Sequence, residues 1–420
     1  MGVKLHDLIQ TSSITLADLK GTKVAIDGMN MLYQILFNPA QAMFNPQQFY
    51  TDRTQQVITH LYGWLQKIHH FFKARIFPVI VFDGKPDPLK RLLTKDYLVD
   101  YIQSKQNYQA ALDQHDRDAA RQFALSYSYL FPKCIEESKM VISACGIPVI
   151  MAPSEAEAQC AFLQKEGYVD YMVSQDYDAL LFGATRILRR LTFQTREQHH
   201  GHWRTITPTI EVINSLANLS ELHLTREELI DLSILLGNDY FPGIQQIGPQ
   251  RALEILHHYH SIPAMRQVHP GLFRELTEEN YAHIRALFFS PEVIHPTLLT
   301  LHPMQPEILE QLLFRDHFLS RERAGKILDH ITTQHRLCLK NTDLFPSLPN
   351  NSTKPPITFN KHIQRRLDRG HKKSHTDPVS YSFSPATQLN TASPKPHSSS
   401  KYRQVPITRK ITVKKQEKKP

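Results

Sequence analysis

The chain has 420 residues, of which 41% are hydrophobic and 21% charged, and its formal net charge is +9. This length allows a large core and predicts two or three domains. No apolar run reaches the roughly 18 to 20 residues that cross a bilayer, and the first residues lack a signal-peptide pattern. The four cysteines have neither zinc-site spacing nor the density of a disulfide scaffold. We therefore expect a soluble intracellular protein.

Four short apolar runs in the first 180 residues have the character of buried strands. They are rich in β-branched residues and almost continuously hydrophobic, as strands covered on both faces of a parallel sheet must be. The runs are "KVAID" (23–27), "FPVIVFD" (77–83), "IPVIM" (147–151) and "DYMVSQD" (170–176).

Helix-length patterns separate these runs. Residues 55–72 repeat apolar side chains at intervals of three and four, and residues 154–167 begin with a capping residue and end at a glycine. This alternation predicts an α/β fold with a mostly parallel central sheet flanked by helices. From 205 to 335 the pattern becomes helical throughout.

The positive charge belongs to the end of the chain. Residues 351–420 hold 16 Lys and Arg against 3 acids, which leaves 33 basic and 37 acidic residues before them. This part is rich in Ser, Pro, Lys, Asn and Thr without a sustained period, so we expect a basic disordered tail over 336–420. Such a tail suits nonspecific phosphate contact, and it is equally compatible with a solvated linker.

Seven carboxylates stand near the predicted strand ends or helix starts. Three of them, Asp27, Asp83 and Asp176, end strands, and in open α/β sheets the crevice outside the carboxyl ends is the usual ligand site. Carboxylates that meet there repel one another unless a cation compensates, and oxygen ligands favour Mg²⁺ or Mn²⁺. The complete set is Asp27, Asp83, Glu155, Glu157, Asp176, Asp178 and Asp239.

Each acid also has a simpler interpretation. Ser154 and Glu157 match the S-x-x-E capping box, so Glu157 could only cap a helix. "QDYD" (175–178) could be an ordinary turn, and "GND" (237–239) could end a helix. The metal hypothesis therefore depends on all seven occurring together.

Six segments, taken in order, resemble the flap endonuclease branch of the structure-specific 5′ nucleases, and most closely its archaeal members. The resemblance runs from residue 1 to about residue 332. The segments are "AIDGMNMLYQ", "VFDGKPDPLK", "APSEAEAQ", "SQDYDALLFG", "LLGNDYFPGIQQIGPQRA" and the opening "MGV".

The resemblance implies a division of the chain around a PIN-like nuclease core. The core is formed by an N-terminal nuclease region and a second region that completes the same sheet, with a helical arch between them. A helix-hairpin-helix region for binding duplex DNA and the tail follow. The implied boundaries are 1–96, 97–135, 136–240, 241–335 and 336–420.

The resemblance also implies roles for individual residues. All seven acids match the metal-site acids of the family, which implies two Mg²⁺ ions, with Mn²⁺ as a substitute. Asp83, Lys90 and Asp176 match catalytic positions, and Lys90 would face the scissile phosphate, where a cation stabilises developing charge. Tyr33 matches an aromatic residue that stacks on a displaced base, a sequence-tolerant contact.

Further residues match the DNA-binding positions of the family. In "GIQQIGPQRALEIL" (243–256) a glycine-bearing hairpin would present backbone amides to a phosphate at a helix N-terminus, often with a monovalent cation. Gln250 stands where a basic residue is usual, and Arg251 is a candidate to compensate. The matching positions are Gly2, Tyr33, Lys90, Gly237, Asp239, Gly248 and Arg251.

Two departures from the family pattern concern the arch and the tail. Residues 91–135 carry nearly balanced charge, and Tyr97 stands where a second catalytic arginine is expected, with Arg91 or Lys95 as possible replacements. The tail lacks the Q-x-x-[aliphatic]-x-x-aromatic-aromatic motif through which such enzymes often bind a sliding clamp. A clamp partner is therefore left open.

The implied activity is Mg²⁺-dependent hydrolysis of phosphodiesters at 5′ flaps of branched DNA, in replication and repair. The alternatives are a 5′–3′ exonuclease of the same superfamily and a noncatalytic scaffold that binds DNA junctions. We expect a monomer without membrane contact. It would be cytoplasmic in a prokaryotic or archaeal source and nuclear in a eukaryotic one.

Overall fold

The computed structural model describes most of the chain up to residue 340. The described ranges are 3–37, 50, 52–53, 56–93, 127–191, 195–199, 202–206, 209–297 and 299–340, with isolated positions between 103 and 119. Gly2, the predicted tail beyond residue 340 and most of the predicted arch, including Lys95 and Tyr97, lie outside these ranges.

A seven-stranded mixed sheet forms the centre of the molecule, in the order β1-β9-β6-β5-β2-β3-β4. The five strands from β6 to β4 run parallel, while β9 pairs antiparallel with both β6 and β1. The four strands predicted from the apolar runs are β2, β3, β4 and β5, so the predicted parallel core is confirmed. The sheet strands are β1 Ser12–Ile14, β2 Lys23–Asp27, β3 Phe77–Phe82, β4 Val149–Met151, β5 Tyr171–Val173, β6 Arg186–Arg189 and β9 Ile210–Asn214.

Helices cover both faces of this sheet. The helices that connect or follow the parallel strands are α1 Gly28–Phe37, α2 Thr59–Ala74, α3 Pro88–Leu93, α4 Tyr127–Ala144, α5 Ala156–Lys165 and α6 Asp178–Leu181. Those of the second half are α7 Ser215–Glu221, α8 Arg226–Leu236, α9 Pro249–Tyr259, α10 Ile262–Val268, α11 Glu278–Phe289, α12 Pro306–Leu309 and α13 Lys326–Lys340. Short 3₁₀ turns lie at Leu16–Leu19 and Pro270–Phe273, and π-helical turns at Glu310–Asp316 and Arg321–Gly325.

Alternate residues of the central strands separate the core into two layers. Val24 and Ile26 of β2 face a layer built with α1, α2 and α4, whereas Ala25 between them faces a layer built with α5, α8, α9 and α11. This is the two-sided burial that a period of two along a strand produces. The helical stretch predicted over 241–335 divides between the layers, because its end, from α12 to α13, packs on the α2 side.

The predicted change to a helical pattern at residue 205 is wrong for the first ten residues. Ile210–Asn214 is a strand whose Ile210, Val212 and Ile213 are buried between β1 and β6. A separate hairpin precedes it, formed by β7 Thr195–His199 and β8 His202–Ile206. The helical pattern begins only at α7. Within the described part of the chain, no helix combines the length and apolar character that a membrane span requires.

Candidate active site

The carboxyl ends of the parallel strands hold the predicted acids. Asp27 is the last residue of β2, and Asp83 directly follows the neighbouring β3. The loop after β4 leads to Glu155 and Glu157 at the start of α5, and the loop after β5 carries Asp176 and Asp178. Because β5, β2, β3 and β4 are adjacent and parallel, these loops open at one edge of the sheet.

Backbone amides hold the acids that follow β2 and β3. The Asn30 N–H donates to Asp27 Oδ1 at 2.9 Å, and the Ala156 N–H donates to Asp83 Oδ1 at 2.7 Å. Ala156 is the first residue of α5, so Asp83 satisfies an orphan amide at this helix N-terminus. A carboxylate there is also favoured by the helix dipole.

The capping-box interpretation of Glu157 is wrong. α5 begins one residue later than the motif requires, with Glu155 at the N-cap and no side-chain capping hydrogen bond. The Glu157 carboxylate accepts a hydrogen bond from the Ser174 hydroxyl, at the end of the neighbouring strand. The Glu157 side chain is therefore hydrogen-bonded to Ser174, close to the other acids, and does not cap its own helix.

Ser174 also organises the loop that carries Asp176 and Asp178. Its hydroxyl accepts from the Asp176 N–H at 3.0 Å while it donates to Glu157. Asp178 is held from a different part of the chain, because the Val3 N–H donates to its Oδ1 at 2.8 Å. Val3 thus lies against the carboxylate cleft.

Lys90 is the cation of this cleft. Its Nζ lies 3.3 Å from Glu155 Oε2 and 3.2 Å from Asp239 Oδ2, so one ammonium group joins the acid before α5 to the acid after α8. The Tyr240 hydroxyl donates to the other oxygen of Glu155. These ion pairs raise the pKa of Lys90 even though its burial opposes them.

The turn that supplies Asp239 is built on two glycines and an asparagine. Gly237 has φ +94° and Gly243 has φ +86°, conformations that other residues rarely adopt, and a Cβ on Gly237 would stand 2.6 Å from the Pro242 carbonyl oxygen. The Asn238 Oδ1 accepts from the amides of Tyr240 and Phe241, both at 3.0 Å. Gly237 therefore has a structural explanation beside its predicted contact with DNA.

The pKa shifts of the acids indicate that their charges interact with one another. Burial together with the Asp83 charge raises the pKa of Asp27 to about 7. Burial, with Asp239 and Asp176 nearby, raises the pKa of Asp178 to about 7, although the Val3 amide opposes this. Burial and the Asp178 charge raise the pKa of Glu157 well above its ordinary value. Lys90 compensates only part of this negative charge.

A divalent cation fits this donor set chemically. The donors are carboxylate oxygens, which Mg²⁺ and Mn²⁺ prefer, and the acids are ionised at neutral pH only at a cost that a cation would remove. As the described side chains stand, no three or more of their His, Cys, Asp and Glu residues are arranged to enclose an ion. Mg²⁺ commonly takes only one or two direct carboxylates and keeps several waters.

Of the predicted DNA-binding residues outside the cleft, Tyr33, Gly248 and Arg251 are described and exposed. The Tyr33 side chain on α1 is 49% exposed, unusual for a large aromatic residue. Gly248 is the N-cap of α9, and a Cβ added there would meet nothing within 4 Å. Gln250 and Arg251 in the first turn of α9 are also exposed. With α8 before it, this is the expected helix-hairpin-helix arrangement.

Sequence reasoning missed three groups of the cleft: the Ser174 hydroxyl, the Tyr240 hydroxyl and the Val3 amide. Ser174 and Tyr240 each lie within two residues of a predicted acid, in "SQDYD" and "NDY". Polar residues that lie next to an acid motif in the sequence can thus be predicted to belong to the same cleft. The contact of the Val3 amide could not be predicted from the sequence, because every residue except proline has a backbone N–H.

Comparisons with known proteins agree with this geometry. Residues 1–96 match the family model of the XPG N-terminal domain, and residues 146–239 match that of the XPG I-region. Flap endonuclease 1 of Methanocella arvoryzae is 34% identical over 338 residues, which cover 79% of this chain and 96% of that protein. The two XPG segments contain all seven predicted acids between them, with Asp239 as the last residue of the second.

Solved structures show the same fold. Flap endonuclease-1 from Methanococcus jannaschii superposes with a TM-score of 0.61 at 30% identity, covering 80% of this chain and 99% of that one. The catalytic core of Rad2 in complex with DNA substrate has a TM-score of 0.56 at 22% identity, over 79% of this chain and all of that one, a likeness of fold alone.

The fold and the acid-lined cleft define a nuclease, an enzyme that hydrolyses phosphodiester bonds. The similarity to Flap endonuclease 1 extends over most of both chains. The chain belongs to the flap endonuclease 1 family.

Proposed function

We propose that this chain is a divalent-metal-dependent endonuclease that removes 5′ flaps next to single-strand to double-strand junctions, in DNA replication and repair. The observation that carries the proposal is the mutual repulsion of seven carboxylates near the carboxyl edge of the sheet, of which Asp83, Glu155 and Asp239 also interact with Lys90. A noncatalytic scaffold has no use for so many mutually repelling acids, which destabilise the folded chain unless a cation is bound.

The residues that would hold two Mg²⁺ ions, or Mn²⁺ in their place, are Asp27, Asp83, Glu155, Glu157, Asp176, Asp178 and Asp239. When bound, such ions polarise the phosphodiester and favour ionisation of a water. Those acids that do not contact an ion directly would orient its waters.

Lys90 would act on the scissile phosphate. Attack of water on phosphorus breaks the bond to the 3′ oxygen, and the products are a 5′-phosphate and a 3′-hydroxyl that receives a proton. Negative charge accumulates on the phosphoryl oxygens during this step, and a nearby ammonium group stabilises it. In the structure the same ammonium group lies between Glu155 and Asp239.

Contacts outside the cleft would select substrate by shape. Gly248 lets a DNA backbone approach the N-terminus of α9 closely, because no side chain stands there. Arg251 would contribute charge, with a monovalent cation at the same hairpin, and the exposed Tyr33 ring would stack on an unpaired base. These contacts touch phosphates and ring faces, so cleavage would depend little on base sequence.

The direct test is cleavage of a labelled duplex carrying a 5′ flap. We expect cleavage near the junction with Mg²⁺ and none with EDTA, because the acids alone repel the phosphate. A panel with blunt, gapped and four-way-junction DNA separates the alternatives. Faster degradation of blunt ends than of flaps would favour an exonuclease, and equal products in Mg²⁺ and EDTA would contradict a metal mechanism.

Mg²⁺ should also stabilise the fold without DNA. At a concentration one hundred times its dissociation constant, an ion that binds only the folded state adds about 2.7 kcal/mol to the free energy of unfolding. The double variant Asp176→Asn with Asp178→Asn should show a smaller gain, and in EDTA it should be more stable than the wild type because two repelling charges are gone. Thermal unfolding at matched ionic strength measures both. Equal Mg²⁺ shifts for the two proteins would argue against a shared site.

A further inference from the structure

The two oxygens of Glu155 are held by two different side chains. Lys90 Nζ lies 3.3 Å from Oε2, and the Tyr240 hydroxyl donates to Oε1. Although Glu155 occupies the N-cap of α5, its side chain makes no capping hydrogen bond. The orientation of its carboxylate therefore depends on Lys90 and Tyr240, and not on its own helix.

Tyr240 is itself fixed at both ends. Its backbone N–H donates to Asn238 Oδ1 at 3.0 Å, inside the glycine-bounded turn that also carries Asp239. Its ring packs edge-on against Phe288 of α11, with 5.5 Å between ring centroids, and only 6% of the residue is exposed. A tyrosine has two side-chain torsions, so these contacts leave its hydroxyl little freedom to find another acceptor.

Binding of the substrate would affect Lys90 and Tyr240, the two donors to Glu155, differently. Lys90 has a flexible four-carbon stem and would turn toward the scissile phosphate during the reaction. Tyr240 is uncharged and lies in a rigid packing environment, so phosphate does not attract it away. When Lys90 leaves, the Tyr240 hydroxyl still fixes one oxygen of Glu155 and directs the other into the cleft.

We infer that Tyr240 is a positioning residue, which orients the Glu155 carboxylate for divalent-metal binding and keeps it oriented when Lys90 engages DNA. This inference rests on the proposed function, since it assigns Glu155 to the metal. Tyr240 also connects the cleft to α11, because the ring that supports it, Phe288, belongs to the helical layer packed behind the site. Groups that orient a metal ligand typically alter metal affinity or activity by 10- to 100-fold when removed.

The test variant is Tyr240→Phe, which keeps the ring against Phe288 and removes only the hydroxyl. Calorimetric titration with Mg²⁺, and separately with Mn²⁺, should show about ten-fold weaker binding than to the wild type, without DNA present. On flap DNA, the same variant should need about ten-fold more Mg²⁺ for half-maximal cleavage. Its affinity for flap DNA in EDTA should be unchanged.

Tyr281→Phe is the matched control. Tyr281 is also a buried tyrosine whose hydroxyl donates to a buried carboxylate, Asp231, at 3.1 Å, but Asp231 pairs with Arg285 and is not one of the seven acids of the cleft. Its loss should lower the melting temperature and leave Mg²⁺ affinity unchanged. If both variants weaken Mg²⁺ binding equally, the effect is general loosening and the inference is overturned. It is also overturned if Tyr240→Phe binds Mg²⁺ as the wild type does.

A double-mutant cycle with Glu155→Gln tests whether Tyr240 affects Mg²⁺ binding through the Glu155 carboxylate. If Tyr240 acts through this carboxylate, Tyr240→Phe should change Mg²⁺ affinity little once Glu155→Gln is present, and a full ten-fold loss in that background would contradict the inference. Should Tyr240→Phe not fold, Tyr240→His, which retains a ring donor, replaces it in the cycle. A wild type that binds Mg²⁺ but cuts no flap would refute the proposed function and leave the positioning role standing.

Discussion

Replacement of Lys90 by methionine is expected to lower the rate of flap cleavage by about 10²- to 10³-fold, the usual loss when one charge-stabilising donor of a transition state is removed. Methionine keeps the length and apolar stem of the side chain and removes the ammonium group. Binding of flap DNA should weaken far less, because the proposed phosphate contacts of α9 and the Tyr33 ring are unaffected. Single-turnover cleavage and fluorescence anisotropy measure the two effects separately.

The same substitution should change the response of the fold to metal. Glu155 and Asp239 lose the ion pairs at 3.3 and 3.2 Å that offset their repulsion. Lys90 is partly exposed, so we expect a loss of about 1 kcal/mol in the free energy of unfolding in EDTA, less than for a fully buried pair. Mg²⁺ should restore most of it. Lys85→Met, at an exposed lysine in the loop before α3, is the control; cleavage by Lys90→Met within three-fold of this control would contradict the assigned role.

The parallel core and its acids could be predicted because their signals are local. Each of β2 to β5 is an apolar run, and Asp27, Asp83 and Asp176 directly end or follow such runs. The topology of parallel sheets then brings the strand ends to one edge without any knowledge of packing. The sequence alone therefore located the cleft and most of its charge.

What could not be predicted depends on contacts between distant segments. S-x-x-E predicts a capping box from four residues, but Ser174 lies 17 positions from Glu157 and competes successfully for its carboxylate. The Val3 amide reaches Asp178 across 175 positions. Likewise, β9 has a weak local pattern and becomes a strand because β1 and β6 each pair with it. Tertiary partners decided these cases, as they commonly do for β-structure.

A second cluster of ionisable groups, none of which belongs to the seven acids, is formed by residues of α2, α4, the segment before α2 and the end of the π-helical turn Glu310–Asp316. His317 Nε2 lies 3.1 Å from Glu137 Oε1, and its Nδ1 lies 2.9 Å from Asp52 Oδ2. His60 Nε2 lies 2.7 Å from the other oxygen of Glu137. Both nitrogens of His317 face carboxylates, an arrangement that favours the doubly protonated, cationic ring. Glu137 is thus the central anion of the cluster.

The pKa shifts of Glu137 and His317 follow from the hydrogen bonds between them. The hydrogen bond to Glu137 raises the pKa of His317 against the effect of burial, and Asp52 adds to the rise. Burial opposes the ionisation of Glu137, but hydrogen bonds from His317 and His60 outweigh it and hold the pKa of this carboxyl below its ordinary range. Burial lowers the pKa of His60, which favours its neutral ring, and its Nε2 lies against Glu137.

The directions of these pKa shifts determine the pH range over which each group stabilises the fold. His317 contributes stability that is fully present below its unfolded pKa of about 6.5 and is lost as the pH rises through its raised folded value. The contribution of Glu137 is present above its unfolded pKa of about 4.3 and is lost only in acid. Protonation of His60 destabilises the fold below about pH 6.5. Above pH 6.5, His317 alone of these three groups changes charge, so this cluster should become less stabilising toward alkaline pH.

Glu137→Gln is expected to lower the free energy of unfolding by about 3 kcal/mol at pH 6.5, because it removes one of the two carboxylates beside the cationic ring of His317 together with the ion pair to Lys133. The loss should shrink as the pH rises and His317 becomes neutral in both proteins. Urea unfolding between pH 6.5 and 9 measures this convergence. Glu136→Gln, one residue earlier on the same helix and exposed, should cost less than 1 kcal/mol at every pH. A constant difference between wild type and Glu137→Gln across this range would show that His317 does not carry the charge, and that the cluster is held together by neutral hydrogen bonds.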